Sequence, residues 1–458
     1  GGPTAPWSWS PGALRPSTAL HTAAVSCGEG VEAGAGGPEA STPLVGADAK
    51  PLGKTDELKA VGLVLGTAIG AGFLALPYTT APVGALPASA VMLCSWGFLL
   101  AQSLIVADII VFASKRAGAP VSYATIARDT LGLRGACLVS ALFLCLMMIT
   151  LVAQFAKAGS LLAPILGVPY AVGCALAALV MGLFTERAPA SVTGTINTAF
   201  TGGFMVMVLA LFGVGLPLAD WTRLIRTDWS LSMALVPSML QLLVYVEIVP
   251  TVCTLLNNEL PRIRRVILIG AGVLLMMFVA WSVLGIAIVP FIPAALGAVR
   301  TDPIEILLST GGVMTNVIAG LATCAIITTI LGANIAMRTF FMDLFRKRTK
   351  QETSAASPPA SDAEAAAPSP ESESDAQLIA PPAPDRTAQR KSVLAFVACT
   401  VLPLAFACKS PTAFFSAIHL AGAYPVTLLW GWVPPLMAIR LGVHETPSPG
   451  QGASKPRT

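Results

Sequence analysis

Charged residues are scarce in this sequence. They make up 11% of its 458 residues, and 55% are hydrophobic. Soluble domains run at about 25% charged and about 45–50% apolar. A chain so poor in charge has too little polar surface to cover a water-facing globule. That disfavours a soluble enzyme and a disordered protein alike, and makes a polytopic membrane protein the expectation. Histidine is rarer still: His21, His419 and His444 are the three, and they form no cluster. Nine cysteines are present, but apart from Cys27 they are scattered singly through apolar runs. That is neither the spacing of a zinc site nor that of a disulfide framework. Metal and Ser-His-Asp chemistry have almost no raw material, so neither an enzyme nor a bound cofactor or metal is expected. The net charge of +4 is too small and too scattered to suggest nucleic acid.

What the chain has in abundance is apolar runs long enough, at about 20 residues, to cross a bilayer as helices. Ten are counted, near 58–78, 87–112, 135–156, 168–185, 194–216, 233–257, 264–290, 313–337, 392–408 and 412–438. Backbone groups in lipid must be satisfied within the element, and the runs do not alternate as barrel strands would, so the fold class is all-α. Residues 1–55 are rich in Gly, Ala, Pro, Ser and Thr and read as a disordered tail, with a plastid transit peptide as the other reading. Residues 349–391 carry many prolines, seven acidic residues and no aromatics, and are expected to form a disordered cytosolic loop. Residues 441–458 read as a second disordered tail.

The basic residues give an orientation. With the N-terminus cytosolic or stromal, 23 of the 28 lysines and arginines fall on that side of the ten spans, as the positive-inside rule requires. Both termini then share one side. Among residues near span ends, Asp108 is expected to pair with Lys115 or Arg116. Lys157 is expected to snorkel from the end of span 3. Trp221, Trp229, Trp430 and Trp432 fit interfacial belts, and Phe340–Arg348 reads as an amphipathic helix end.

Two spans are interrupted. Span 1 contains Gly66, Gly70 and Gly72 within seven residues, followed by Pro77. Glycine costs about 1 kcal/mol and proline about 3 in a helix interior. Close helix packing through small residues is one reading of the glycines. Local unwinding is the other, and in a bilayer freed backbone groups are tolerated only where they line a cavity. Span 6 carries Pro237 and Pro250, with one ionisable residue, Glu247, three positions before Pro250. It is the first span of a second group of five. Interrupted first helices in corresponding positions of two halves point to an inverted-repeat transporter with its site at the midplane. The halves are read as 56–216 and as 233–348 with 392–440. A carboxyl at membrane depth is costly and is a functional hypothesis by default. Glu247 is therefore a candidate to carry a coupled proton or to pair with a substrate ammonium.

The stretch GTAIGAGFLALP, residues 66–77, resembles the opening helix of the aromatic amino acid permeases. These are the tyrosine- and tryptophan-specific transporters of the amino acid–polyamine–cation superfamily. It meets every fixed position of a motif close to G-T-x-I-G-A-G-x-L-A-x-P. VYVEIVPTVCTLLNNELPRIRR, residues 244–265, is similar to plant and algal members, and TTILGANIAMRTFFMDLF, residues 328–345, extends the likeness. The resemblance implies a five-plus-five fold and proton-coupled uptake of an aromatic amino acid, with H⁺ as coupling ion. It also implies that Thr67, Ala68, Ile69, Gly70, Ala71 and Gly72 cradle the substrate backbone, with Tyr245 and Glu247 facing it. Gln154 stands where members often have an aromatic side chain. Thr328, Thr329 and Asn334 lie on a helix that closes cation sites in sodium-coupled relatives, or else serve helix packing. The chain departs from plant-type members in having Val246-Glu247 where they have His-Asn, and it ends soon after its tenth span where members usually have an eleventh. Transport of another neutral amino acid or a polyamine, and a non-transporting sensor, stand as alternatives.

Overall fold

The computed structural model describes residues 53–70, 72–117, 121, 123–289, 291, 302–309, 311–356, 397 and 399–442. Expectations for residues 1–52, 357–391 and 443–458 lie outside the described residues, as does Ala71. Most of the described residues are helical. Among the described residues, eight helices are long and apolar enough to cross a membrane, and they match the second to eighth and the tenth expected runs. The ninth is described only at residue 397 and over 399–407, named α12 here. The first is split in two, as α1 (Lys54–Ala68) and α2 (Gly72–Thr80).

The other elements are α3 (Ala85–Ala117), α4 (Tyr123–Leu166), α5 (Tyr170–Arg187), α6 (Ala190–Gly215), α7 (Ser232–Leu242), α8 (Val249–Leu255) and α9 (Leu260–Ile288). After them come α10 (Pro303–Ser309), α11 (Gly312–Ala356), α13 (Ala413–Ala421), a π-helical stretch (Gly422–Trp432) and α14 (Val433–Leu441). Two of these depart from expectation. α4 begins in the connection before span 3, and Gly132, at φ 73° and ψ −175°, bends the chain between that leading segment and the span. α11 runs on to Ala356 and so carries helix into the segment expected to be a loop from residue 349.

Proline sets one of the fold's longer-range bonds. Pro77 lies inside α2 and has no N–H to give the carbonyl four residues earlier, that of Phe73. Trp281 of α9 supplies the missing donor, its indole Nε1–H reaching the Phe73 oxygen at 2.9 Å. The Trp281 ring also stacks on Phe73 at 5.5 Å between centroids. Beneath them α1 and α9 approach closely enough that a Cβ on Gly270 would lie 2.9 Å from Val64 Cγ1. Outward-facing positions carry bare apolar side chains such as Leu209, Ile165 and Met276, the kind of surface that lipid solvates and water does not.

Polar contacts tie the bundle's two ends. At one end Arg264 Nη2 donates to both carboxylate oxygens of Asp108, at 2.8 and 2.9 Å. This replaces the expected pairing of Asp108 with Lys115 or Arg116, which lie beyond it on its own helix. Arg262 and Arg265 reach Glu57 of α1 at 3.7 and 3.6 Å. At the other end the connection between α6 and α7 caps helix C-termini. Arg223 donates to the carbonyls of Ala287 and Ile288, and Arg226 to those of Ala81 and Pro82, groups that α9 and α2 leave unpaired. In the same connection the Thr222 hydroxyl holds the Asp220 carboxyl below the usual range, and the Ser230 hydroxyl does so for Asp228.

Candidate functional site

Both interrupted spans are broken at the positions the glycines and prolines mark. α1 stops at Ala68, and Ile69 turns extended at φ −86° and ψ 100°. The chain resumes as helix at Gly72, with the Phe73 N–H donating to the Gly70 carbonyl at 3.0 Å. α7 stops at Leu242. Tyr245 sits at φ −142° and ψ 3°, a single 3₁₀ turn covers Val246–Ile248, and α8 starts at Val249. Pro250 falls in the first turn of α8, where a missing N–H costs nothing. The breaks touch: a Cβ on Gly72 would come within 2.7 Å of Leu242 Cδ2.

A cavity of about 210 Å³ lies between them. Of the expected site residues, Ala68, Ile69, Gly70, Gly72, Gln154, Glu247, Thr328 and Thr329 line it. Gly70 faces α11 so closely that a Cβ there would lie 2.5 Å from Thr329 Oγ1. The Thr329 hydroxyl donates to the Ala325 carbonyl at 2.8 Å and that of Thr328 to Cys324 at 3.0 Å, so each hydrogen is committed to its own helix. No ion pair reaches Glu247 among the described residues. Nor do these residues contain a group of three or more His, Cys, Asp and Glu side chains suited to a metal.

Two expected residues stand elsewhere. Tyr245 is fully buried away from the cavity, against Ser103 of α3 at 3.1 Å. Ser103 already gives its hydrogen to the Leu100 carbonyl, so the Tyr245 hydroxyl is the donor. The 3₁₀ turn accounts for this: Glu247, two residues on, faces the cavity instead. Asn334 is buried outside the lining with both amide atoms lacking a partner among the described residues. Ala71 and the Thr67 side chain lie outside the described residues.

Other polar groups enter that the sequence reading missed. Among the described residues, buried side-chain atoms without a hydrogen-bond partner number eleven, and five belong to cavity-lining residues: Tyr123, Gln154, Asn197, Gln241 and Trp430. An unsatisfied buried group costs about 1–3 kcal/mol, so this cavity concentrates polar cost that a ligand can offset. Gln241 and Asn197 were visible as isolated amides in apolar runs. Trp430 corrects its belt assignment: it is 3% exposed, with its ring 5.3 Å from that of Tyr123. Trp430 is carried by a π-helical stretch, a form frequently found at functional sites. Trp221, Trp229 and Trp432 are exposed, as interfacial residues would be. Lys157 does not snorkel. It is buried beside Asp302, one turn past Gln154 on α4.

Sequence comparisons with known proteins agree with the class of molecule. Over 230 residues the chain is 25% identical to "Tyrosine-specific transport system 2" of Haemophilus influenzae. That alignment takes in 48% of this chain and 55% of the relative, so the chain spans about half the length of the curated relative it matches. Among solved structures it is similar to a manganese transporter of Eremococcus coleocola, at 12% identity and a TM-score of 0.46, with 86% of each chain covered. The same transporter in complex with an aromatic bis-isothiourea substituted compound gives a TM-score of 0.45. The family model described as the tryptophan/tyrosine permease family matches residues 54–446, and with its apolar helices the chain is a multi-pass integral membrane protein that belongs to that family.

Proposed function

We propose that this chain is a secondary active amino acid transporter that moves an aromatic amino acid, tyrosine or tryptophan, together with H⁺ by alternating access. The observation that carries the proposal is the pair of broken helices meeting at one cavity that holds a carboxyl without an ion-pair partner among the described residues. Helix ends at such breaks present unpaired backbone groups suited to a zwitterion. The substrate carboxylate would meet the backbone at residues 69–72, and its ammonium would meet Glu247, with Gln154 and Gln241 completing the polar end. Its ring would extend toward Tyr123 and Trp430. A Cβ on Gly422 would lie 3.2 Å from the Gln241 backbone nitrogen, and Trp430 follows eight residues later, at most about 12 Å along a helix rising 1.5 Å per residue. An aromatic amino acid bridges such an interval.

Protonation of Glu247 removes the cavity's charge, and its release restores it, so H⁺ would bias the equilibrium between the two access states. The two breaks lie five spans apart, which supports reading 56–216, and 233–348 with 392–440, as inverted repeats. Uptake of labelled tyrosine and tryptophan into proteoliposomes under an imposed pH gradient tests the proposal. Transport of neither under any cation gradient refutes it. Glu247→Gln is expected to abolish the pH dependence of uptake while leaving exchange measurable. A second reading, a polyamine substrate, is favoured only by the acidity of Glu247. Competition by a polyamine in place of tyrosine would select it.

A further inference from the structure

The cavity ends abruptly. Along α4 its lining runs from Tyr123 to Gln154 and includes no described residue beyond. Lys157 stands three residues past Gln154, one helical turn or about 5 Å further along the axis. Its side chain is 2% exposed and its ammonium is ion-paired with Asp302 Oδ2. Asp302 is itself fixed: its other carboxylate oxygen accepts the Ile304 N–H at 3.0 Å, and its carbonyl accepts the Ile306 N–H at 3.2 Å. That makes it the cap of α10. The Lys157 ammonium also lies 5.4 Å from the Phe414 ring centre and 5.9 Å from that of Phe415. Phe415 in turn stacks on Tyr78 at 3.7 Å. A single buried cation thus joins α4, the start of α10, α13 and the second half of the broken first span. Glu305, three residues after Asp302, is another ionisable group within electrostatic reach of the pair.

We propose that Lys157 and Asp302 are a latch that seals one end of the cavity and parts once in each transport cycle. The argument is energetic. Ions taken out of water are tolerated only while paired, so removing either partner from the closed seal leaves an uncompensated charge. Once water enters, each ion is hydrated separately and the pairing loses most of its worth. A charged pair therefore has two acceptable states, buried together or wet apart. An apolar plug has one, since opening it exposes hydrocarbon to water. Because Asp302 caps α10, and α2 reaches the pair through Tyr78 and Phe415, its parting frees α10 and the half-helix next to the substrate break together.

The proposal rests on the reading of the cavity as a transport site, but its first test does not. In the full chain in lipid nanodiscs, Asp302→Asn and Lys157→Gln are each expected to raise deuterium exchange in residues 303–309 and 72–80 at least tenfold. The swapped pair Lys157→Asp/Asp302→Lys should bring it back. Unchanged exchange in the single variants overturns the latch even if transport is later shown. The second test uses Lys157→Cys/Asp302→Cys in a background without other cysteines, closed with a reducible thiol cross-linker. Uptake should stop while tyrosine still binds from the open end, and reductant should restore uptake. Wild-type uptake by the cross-linked protein overturns the latch, and this variant decides alone if the charge variants fail to fold. An absence of tyrosine binding in every form would refute the transport reading and leave the exchange result standing.

Discussion

Adding one methyl group at Gly70 should damage the protein in a way that a deletion on another helix repairs. The backbone at Gly70 is not left-handed, so Gly70→Ala introduces no dihedral strain there and acts through contact alone. Its Cβ would lie 2.5 Å from Thr329 Oγ1 but 3.7 Å from Thr329 Cβ and Cγ2. Only the hydroxyl is in the way, and it is held by its 2.8 Å bond to the Ala325 carbonyl. Moving it breaks that bond, and leaving it forces α11 off the first break. Overpacking of this kind costs about 1–3 kcal/mol. Thermal unfolding in detergent, followed with tyrosine binding, measures it. Thr329→Ala in the same chain removes the obstructing atom and should recover most of the loss. Thr329→Val keeps a methyl in the hydroxyl's place and should recover none. If Gly70→Ala is harmless, or if the Ala and Val partners behave alike, the close approach of the first break to α11 is wrong.

Trp281→Phe keeps an aromatic ring but removes the donor to the Phe73 carbonyl, at a cost of about 1–3 kcal/mol in unfolding measurements. Pro77→Ala restores a backbone N–H at the same oxygen and should offset part of it. Gly422→Ala would drive a Cβ into the Pro237 carbonyl oxygen, a clash with backbone that no rotamer relieves. It should abolish the monodisperse peak in size-exclusion chromatography. Asp108→Asn should change stability by no more than about 1 kcal/mol, since Arg264 is half exposed and such pairs are worth little. Asp220 and Asp228 have carboxyls held low by the Thr222 and Ser230 hydroxyls. Groups with a lowered folded value stabilise above the unfolded one, about 3.9, and lose that contribution as pH falls through the folded value. Fluorescence of the neighbouring Trp221 and Trp229 should therefore hold steady from pH 7 to 5 and change only in stronger acid.

How much of this was legible in the sequence depends on how local the cause is. The scarcity of charge and the long apolar runs settled the all-helical membrane class, because lipid leaves the backbone few solutions. Gly66, Gly70, Gly72 and Pro77 located the first break, and Pro237 and Pro250 bracket the second, since backbone propensity acts within a turn or two. Glu247 stood out because one carboxyl in hydrocarbon has few companions. The structure alone decided which way each polar group turns. Tyr245 faces Ser103 and not the cavity. Pro77 leaves a carbonyl that a tryptophan 208 residues away completes. Lys157 meets an aspartate 145 residues on, and Trp430 meets Tyr123 across the cavity wall. A helix that is apolar on every side, as a membrane span is, carries no stripe to show which face is inward. Its rotation about its own axis is fixed only by the helices packed around it, and that rotation places the site's side chains.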